Sequence, residues 1–337
     1  MGLALVALLS GCTPAPTTTT PVARTPSAGS PPASAVASPQ LRLETYPVPE
    51  GSRPHDVAPA ADGGVWFTAQ QAGYLGHLTP GSGRVIQVPL GQGSAPHGVI
   101  TDRGGAAWVT DGGLNAIVRV DPTTFAVTRW TLPTDRARAQ LNTATFDHKG
   151  ILWFTGQAGV YGRLDPTTGH LRVFDAPRGQ GPYGITTTPN GDIYYASLAG
   201  SHIVRVDPAN GAPTVLEPPT KGQGARRIWA DSLGRVWITE WNAGRIGVYD
   251  PPTDRWQEWV LPGAHPRPYA VYVDGYDQVW LSDFGTNTLV RFDPLTERFD
   301  TFALPGVRAE VRQILGRWSE VWGAASAQDR LVVVTLS

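Results

Sequence analysis

A repeat of about 43 residues constrains the fold of this chain more than any other feature. A large aromatic residue recurs seven times, in phrases such as GGVWFTA, at Trp66, Trp108, Trp153, Tyr194, Trp237, Trp280 and Trp322. An Asp-Pro or Thr-Pro pair follows each of the first six by about 13 positions, and a further proline closes each of those units. Three markers in one phase indicate seven equivalent structural units.

Each unit has the pattern of four short β-strands. In the second unit, short apolar or alternating runs are separated by turn residues, and the runs are His97–Thr101, Ala107–Thr110, Ile117–Val120 and Val127–Leu132. The turn at Asp121-Pro122 combines a fixed φ with a side chain that bonds the following backbone. Four strands in 40 to 50 residues, repeated, are typical of a β-propeller blade. The sequence therefore predicts an all-β, seven-bladed propeller with four-stranded blades.

The two ends of the repeat array predict how the ring closes. The seventh unit has only three strands, whereas Leu43–Pro49 is a single strand with no unit of its own. We expect this N-terminal strand to complete the last blade, because closure leaves no sheet edge unpaired. We also expect the repeated Trp side chains to pack between blades.

Composition excludes several other classes of protein. Gly and Pro number 39 and 31 among 337 residues, which is too many helix breakers for a long helical protein. One cysteine cannot form a disulfide within the chain. A net charge of −1 with 16% charged residues argues against a protein held to nucleic acid by phosphate contacts.

The first 39 residues have the pattern of a targeting signal followed by a tether. Residues 1–12 contain a short apolar run followed by Leu-Ser-Gly-Cys, which resembles a bacterial lipobox with Cys12 as the lipidated residue. Residues 13–39 hold 7 Pro, 6 Thr, 6 Ala and 4 Ser, too little apolar surface to form a core. We expect a lipoprotein signal peptide, a disordered tether and a propeller over 40–337. The chain would be exported and anchored to the cell envelope only through its lipid.

The sequences of the repeats resemble those of the virginiamycin B (streptogramin B) lyase family. The phrases that carry this resemblance are RPHDV…GGVWFTA, APHGV…AAWVTD, GPYGI…GDIYYAS and RPYAV…QVWLSD, and it covers about residues 41–337. The resemblance implies a seven-bladed propeller that opens a cyclic depsipeptide by elimination. It also implies a histidine base, a Mg²⁺ ion held by two glutamates and a second histidine that contacts substrate.

The residues that the resemblance places in those roles do not fit the reaction. The base position is Val311, the two metal positions are Ala309 and Ala325, and the substrate-contact position is Tyr269. Neither valine nor alanine can accept a proton or bind a metal ion. The sequence therefore argues against the family's reaction at that site.

The starts of the first strands and the ends of the second strands should gather at one end of the central axis. The first set is His55, His97, Asn142, Tyr183, Arg226, Tyr269 and Val311. Fourteen residues later stand Ala69, Asp111, Gly156, Ser197, Glu240, Asp283 and Ala325. Such a mixed polar cup predicts a small-molecule or metal site, and its candidate ligand contacts are Tyr183, Arg226, Tyr269 and the nearby Trp241.

One candidate arrangement lies in the first two units. The motifs Arg53-Pro54-His55 and Ala95-Pro96-His97, followed by Asp111, repeat the family's order two blades away. We hypothesise that His97 is a base with Asp111 nearby and that His55 contacts substrate. Asp111 stands where a metal-binding glutamate of the family would be and is therefore a candidate metal ligand, whereas Ala95 lacks the other ligand. The alternative is that both histidines bond loop backbone.

A second arrangement concerns a cation and an aromatic surface. Glu240 and Asp283 could share Mg²⁺ or Ca²⁺, or Arg226 and Arg227 could neutralise them instead. Trp241, Trp229 and Tyr183 supply aromatic surface near the same face, where they stack against a ligand or pack against loops.

Two classes of function follow, with a ligand on the axis in both. The first is a lyase-like enzyme acting on a cyclic depsipeptide or lactone with Mg²⁺ or Ca²⁺. The second is a non-catalytic propeller that binds a small molecule, peptide or protein. A gluconolactonase-type enzyme requires six blades, and seven repeats argue against it. We expect a monomer that binds no nucleic acid.

Overall fold

Seven four-stranded antiparallel sheets form the described part of the chain, residues 41–336, in a computed structural model. The prediction of an all-β, seven-bladed propeller is confirmed. The signal peptide with Cys12 and the tether over 13–39 lie outside the described residues. Within residues 41–336, none of the helices has the length and apolar character needed to cross a bilayer.

The strands of blades one to three follow one another along the chain, from the inner strand to the outer strand. Blade one contains β2 (Pro54–Pro59), β3 (Val65–Ala69), β4 (Tyr74–Thr79) and β5 (Arg84–Pro89). Blade two contains β6 (Pro96–Thr101), β7 (Ala107–Asp111), β8 (Ala116–Val120) and β9 (Val127–Thr131). Blade three contains β10 (Leu141–Phe146), β11 (Leu152–Gly156), β12 (Val160–Leu164) and β13 (Leu171–Asp175).

Blades four to six repeat this order. Blade four contains β14 (Pro182–Thr187), β15 (Ile193–Ser197), β16 (His202–Val206) and β17 (Pro213–Leu216). Blade five contains β18 (Ala225–Ala230), β19 (Val236–Glu240), β20 (Arg245–Asp250) and β21 (Arg255–Val260). Blade six contains β22 (Pro268–Val273), β23 (Val279–Asp283), β24 (Thr288–Asp293) and β25 (Arg298–Ala303). In the part of the chain that the structure describes, two 3₁₀ turns occur elsewhere in the ring: Thr134–Arg136 before blade three and Ser326–Gln328 in blade seven.

Blade seven closes the ring with strands from both ends of the described chain. It contains β26 (Val311–Arg317), β27 (Glu320–Ala325), β28 (Arg330–Leu336) and, as its outer strand, β1 (Leu41–Pro47). The pairing of β1 with β28 runs from Leu41 opposite Leu336 to Pro47 opposite Arg330. The predicted closure by the N-terminal strand is therefore confirmed.

The repeated aromatic residues lie between the blades, as expected. All seven are at most 2% exposed. Trp66 of blade one packs with Val99 and Ala107 of blade two, and Trp108 packs with Leu152 of blade three. Burying so large an apolar side chain at each blade interface stabilises the ring.

An aspartate six residues before the tryptophan fixes the turn between the first two strands in four blades. Its Oδ2 accepts the Trp Nε1 hydrogen bond and its Oδ1 accepts turn amides, and the pairs are Asp102–Trp108, Asp147–Trp153, Asp231–Trp237 and Asp274–Trp280. Blade one has Ala60 at this position, and the buried Nε1 of Trp66 has no partner there.

Candidate functional site

Each of the seven inner strands is irregular near its first residue. These first residues meet at one end of the central axis, which we call the front end. The pairing of each inner strand with its neighbour shifts register within the first residues, for example between Pro54 and Val57 in blade one and between Pro182 and Ile185 in blade four. A β-bulge re-aims side chains next to it. The second residue of these strands is therefore placed differently from a residue of a regular strand.

A hydroxyl from the neighbouring blade holds several of these second residues in place. Thr68 Oγ1 donates to the carbonyl of His97 at 2.8 Å, and Thr239 Oγ1 donates to that of Tyr269 at 3.0 Å. Thr155 donates in the same way to the carbonyl of Tyr183. The threonine of the repeated WFT phrase thus positions the next blade's front-end residue.

His97 lies in contact with His55 and Asn142. The imidazole centroids of the two histidines are 3.8 Å apart. His97 Nδ1 donates to the Asn142 carbonyl at 3.1 Å, and its Nε2 accepts from Asn142 Nδ2 at 3.1 Å. Burial, and then the neighbouring His55, hold the pKa of His97 well below its ordinary value. His97 is therefore neutral with both nitrogens in hydrogen bonds, and its lone pair is not free to take a proton.

His55 is held by an aspartate that the sequence analysis did not single out. His55 Nδ1 donates to Asp56 Oδ1 at 2.8 Å, and both side chains are buried. Burial, reinforced by Arg227, holds the pKa of His55 well below its ordinary value. Asp56 follows His55 directly in Arg-Pro-His-Asp, and no other unit has an acid at this place. That departure from the repeat was the signal available in the sequence.

Asp56 also forms a buried ion pair across the ring. Arg227 Nη2 donates to Asp56 Oδ1 at 2.8 Å, and Arg227 Nη1 donates to Thr143 Oγ1 at 2.7 Å. Burial raises the pKa of Asp56, and the Arg227 charge opposes that shift. The alternative in which Arg227 neutralises Glu240 and Asp283 is wrong, because its guanidinium bonds Asp56 and Thr143 instead.

Aromatic side chains and a second arginine fill the other half of the front end. The hydroxyl oxygens of Tyr183 and Tyr269 are 2.5 Å apart, and Arg226 Nη2 donates to Tyr183 at 3.1 Å. The Arg226 guanidinium lies 3.6 Å from the ring centroid of Tyr269 and 4.6 Å from that of Trp241. Arg226 and Trp241 are half-buried. The predicted contacts Tyr183, Arg226, Tyr269 and Trp241 are therefore together.

Trp229 does not belong to this surface. It is the fifth residue of β18, beyond Arg227, and its ring packs against Tyr272 at 5.3 Å. The expectation that Trp229 shares a face with Trp241 and Tyr183 is wrong, because two strand residues separate the front end from Trp229.

The carboxylates predicted as metal ligands contact their own blades. Asp111 accepts hydrogen bonds from Ser94 Oγ and from the amides of Ala95, Gly113 and Leu114. Asp283 accepts from the Arg267 and Gly285 amides and from the Thr286 hydroxyl. These bonds show that both aspartates stabilise turns. Asp111 is not among the hydrogen-bond partners of His97, which bonds Asn142 instead.

Glu240 is the exception among these carboxylates. It is fully buried, and neither carboxyl oxygen has a hydrogen-bond partner. Burial, and then the Glu258 charge, raise the pKa of Glu240 to about 8. Its Oε1 lies only 2.8 Å from where a Cβ of Gly247 would stand, so it faces the neighbouring strand of blade five. The shared Glu240–Asp283 cation site stays a prediction.

The positions that correspond to the family's base and metal ligands are part of the apolar core. Ala309, Val311 and Ala325 are at most 1% exposed and pack in one cluster with Trp280 and Leu304. None carries an atom that binds a cation. These residues do not fit Mg²⁺.

One set of side chains in residues 41–336 has three metal-binding atoms close together. His55, Asp56 and His97 offer atoms within 4.8 Å of one another. These atoms already have partners within the protein: His97 bonds Asn142, and the Arg227 guanidinium bonds Asp56. A cation there would have to displace them.

Fold and site define a seven-bladed propeller whose inner strands bring a polar and aromatic cluster onto the central axis. The chain belongs to the virginiamycin B lyase family, since the model of that family matches residues 33–254. No curated protein matches the chain.

Solved structures share the architecture. Virginiamycin B lyase from Staphylococcus aureus superposes with a TM-score of 0.82 at 20% identity, covering 88% of this chain and all of the lyase. The extracellular domain of BT4673 from B. thetaiotaomicron gives 0.70 at 15% identity, over 88% of this chain and 43% of that one. YCF48 bound to D1 peptide gives 0.71 at 15% identity, over 88% and 97%. At these identities the likeness concerns the fold.

Proposed function

We propose that this protein is a non-catalytic ligand-binding propeller of the virginiamycin B lyase family. The observation that carries the proposal is the packing of Ala309, Val311 and Ala325 in the apolar core, where the family's reaction requires a base and two metal ligands. A side chain without a proton acceptor cannot start the elimination, and alanine side chains cannot hold the cation that would stabilise the developing anion.

The half-buried front surface is where a ligand would bind. Arg226, Trp241, Phe284 and Arg312 surround the Tyr269 ring, and all four are half-buried. Aromatic faces and guanidinium groups are enriched where proteins recognise peptides and small molecules. YCF48, a propeller of similar architecture, is bound to a peptide, which supports a peptide or small molecule as the ligand class.

A second candidate function is an elimination that uses a relocated base. The buried Asp56–His55 pair favours it, because a carboxylate that accepts Nδ1–H orients an imidazole and leaves Nε2 able to accept a proton. Tyr269 lies 6.5 Å from the His55 ring and the His97 ring packs against His55 at 3.8 Å, so substrate would have to displace this packing.

Linearisation of a streptogramin B distinguishes the two functions. The protein would be incubated with the antibiotic and Mg²⁺, and the product followed by mass spectrometry and chromatography, because elimination changes structure without changing mass. We expect the intact ring. A ring-opened product that disappears in His55→Ala or His97→Ala would overturn the non-catalytic proposal.

We further propose that the propeller is exported and held to the envelope by lipid on Cys12, as a monomer. The extracellular location of the BT4673 domain, which has the same fold, supports export. Labelling of the chain with radioactive palmitate, abolished by Cys12→Ser, is the expected result. Unlabelled protein recovered from a soluble fraction would contradict the anchor.

A further inference from the structure

A separate cavity lies on the axis behind the front-end cluster. It has a volume of about 190 Å³. Its lining comes from the third and later residues of the inner strands, whereas His55, His97 and Tyr183 are second residues. The cavity therefore extends toward the opposite, back end of the axis. It shares no residue with the positions that correspond to the family's base and metal site.

The walls of the cavity are apolar and its far rim meets solvent. Wall residues include Val99, Ala144, Ile185, Ile228 and Val271, all buried. Toward the strand ends the lining changes to half-exposed residues, among them Thr145, Phe146 and Trp229. A small molecule can therefore reach the cavity from the back end, past two aromatic rings.

The inner end of the cavity is polar. Asp56, Thr143, Arg227 and Gln313 line it. Asp56 Oδ1 accepts both the His55 and the Arg227 hydrogen bonds, and no described residue bonds its Oδ2. Gln313 Oε1 accepts from the Val57 amide at 3.0 Å, and no described residue accepts from its Nε2. One acceptor and one donor thus remain for a ligand.

The charge of this inner end selects against ions. Asp56 and Arg227 form a contact pair at 2.8 Å, so their charges cancel. A charged ligand would lose its hydration without meeting an uncompensated opposite charge, which is costly in an apolar site. A neutral head group with both a donor and an acceptor suits Asp56 Oδ2 and Gln313 Nε2.

The volume sets the size of the ligand. An apolar cavity of about 150 Å³ holds benzene in a well-studied protein. The present cavity is somewhat larger, so one ring with a small head group fills it. We propose that the back end of the axis is a binding site for uncharged monocyclic molecules that carry an amide-like head.

Four monocyclic probes of similar size test the proposal on the propeller. They are benzamide, toluene, benzoate and benzamidinium, and binding would be followed by saturation-transfer NMR and calorimetry. We expect benzamide to bind about tenfold more tightly than toluene, since two hydrogen bonds distinguish them. Equal affinity for all four, or no binding of benzamide, would overturn the proposal.

Substitution at the polar end gives a specificity test. Gln313→Glu keeps an acceptor for Val57 but replaces the donor by a negative charge. The preference should move from benzamide to benzamidinium. Circular dichroism and thermal melting would verify that the variant is folded. Unchanged preference in a folded variant would contradict the assigned contacts.

Substitution at the rim tests the location and does not depend on buried groups. Thr145→Phe, at a half-exposed lining position, should weaken benzamide binding by obstructing the mouth. Thr128→Phe, on the exposed outer strand of blade two, is the matched control and should leave binding unchanged. Equal binding by both variants would place benzamide elsewhere and overturn the proposal.

Discussion

The hydroxyl oxygens of Tyr183 and Tyr269 lie 2.5 Å apart, joining blades four and six above the Arg226 side chain of blade five. His97 packs edge-on against Tyr183 and His55 against Tyr269. This bond therefore ties together both halves of the front-end cluster. At this end the axis is filled by the protein's own side chains.

The tyrosine pair predicts an unusual ionisation. Although burial acts in the opposite direction, Arg226 and Arg227 lower the pKa of Tyr269 below its ordinary value of 10.0, whereas burial raises that of Tyr183. A titration followed by ultraviolet absorbance should show one phenol ionising below pH 10.0. Tyr269→Phe should remove that step and Tyr183→Phe should not. The same early step in both variants would refute the assignment.

Blade one offers a stabilising substitution. Ala60 stands where four other blades have the aspartate that accepts the Trp Nε1 hydrogen bond, and Trp66 Nε1 is buried without a partner. Ala60→Asp should raise the free energy of unfolding by about 1 kcal/mol, with Arg317 nearby to balance the added charge. Denaturant unfolding measures the change. Asp274→Ala is the reciprocal control and should destabilise, and a loss of stability in Ala60→Asp would contradict the prediction.

Glu240 predicts a pH-dependent stability. Its pKa is raised to about 8 in the folded protein, above the 4.5 of an exposed glutamate. The folded state therefore binds the proton more tightly, and stability falls as the pH rises from about 4.5 to about 8. Glu240→Gln should remove this decline and raise the melting temperature most at the alkaline end. The exposed Glu50→Gln should behave as the unmodified protein, and an unchanged profile for Glu240→Gln would count against the buried acid.

Because the family's metal positions are packed in the apolar core here, we expect that reintroducing glutamates at these positions does not create a Mg²⁺ site. Ala309→Glu with Ala325→Glu places two carboxylates where both alanines are fully buried, and should cost at least about 3 kcal/mol of stability. Mg²⁺ should not recover the loss, because Val311 and its neighbours leave no room for a hydrated ion. The Ala309→Gln, Ala325→Gln variant controls for volume. A rise in melting temperature with Mg²⁺ in the glutamate variant alone would show that the site still fits the metal.

Local pattern was sufficient to predict the blades. Each strand and turn is encoded within one unit, so the phase of Trp66, Trp108 and their equivalents placed the strands to within a few residues of the observed bounds. Closure was also predictable, because one strand lacked a unit and one unit lacked a strand.

The contacts across the axis were not predictable in the same way. Asp56 and Arg227 are 171 residues apart and meet only because the ring closes. Asn142, noted only as a ring position, takes both nitrogens of His97. How far along its strand a residue lies decides whether it reaches the front end. Trp229 was misplaced for that reason, since it is the fifth residue of β18.

The pairing of Leu41 with Leu336 has a consequence for how the protein is made. β1 emerges from the ribosome first, but its hydrogen-bonding partner β28 follows almost the whole propeller. Throughout synthesis and any passage across a membrane, β1 is an unpaired edge and the ring is open, which is the condition under which β-proteins associate wrongly. Assembly of the blades therefore ends with a single long-range step, and a chaperone that shields β1 would act before that step and be released by it.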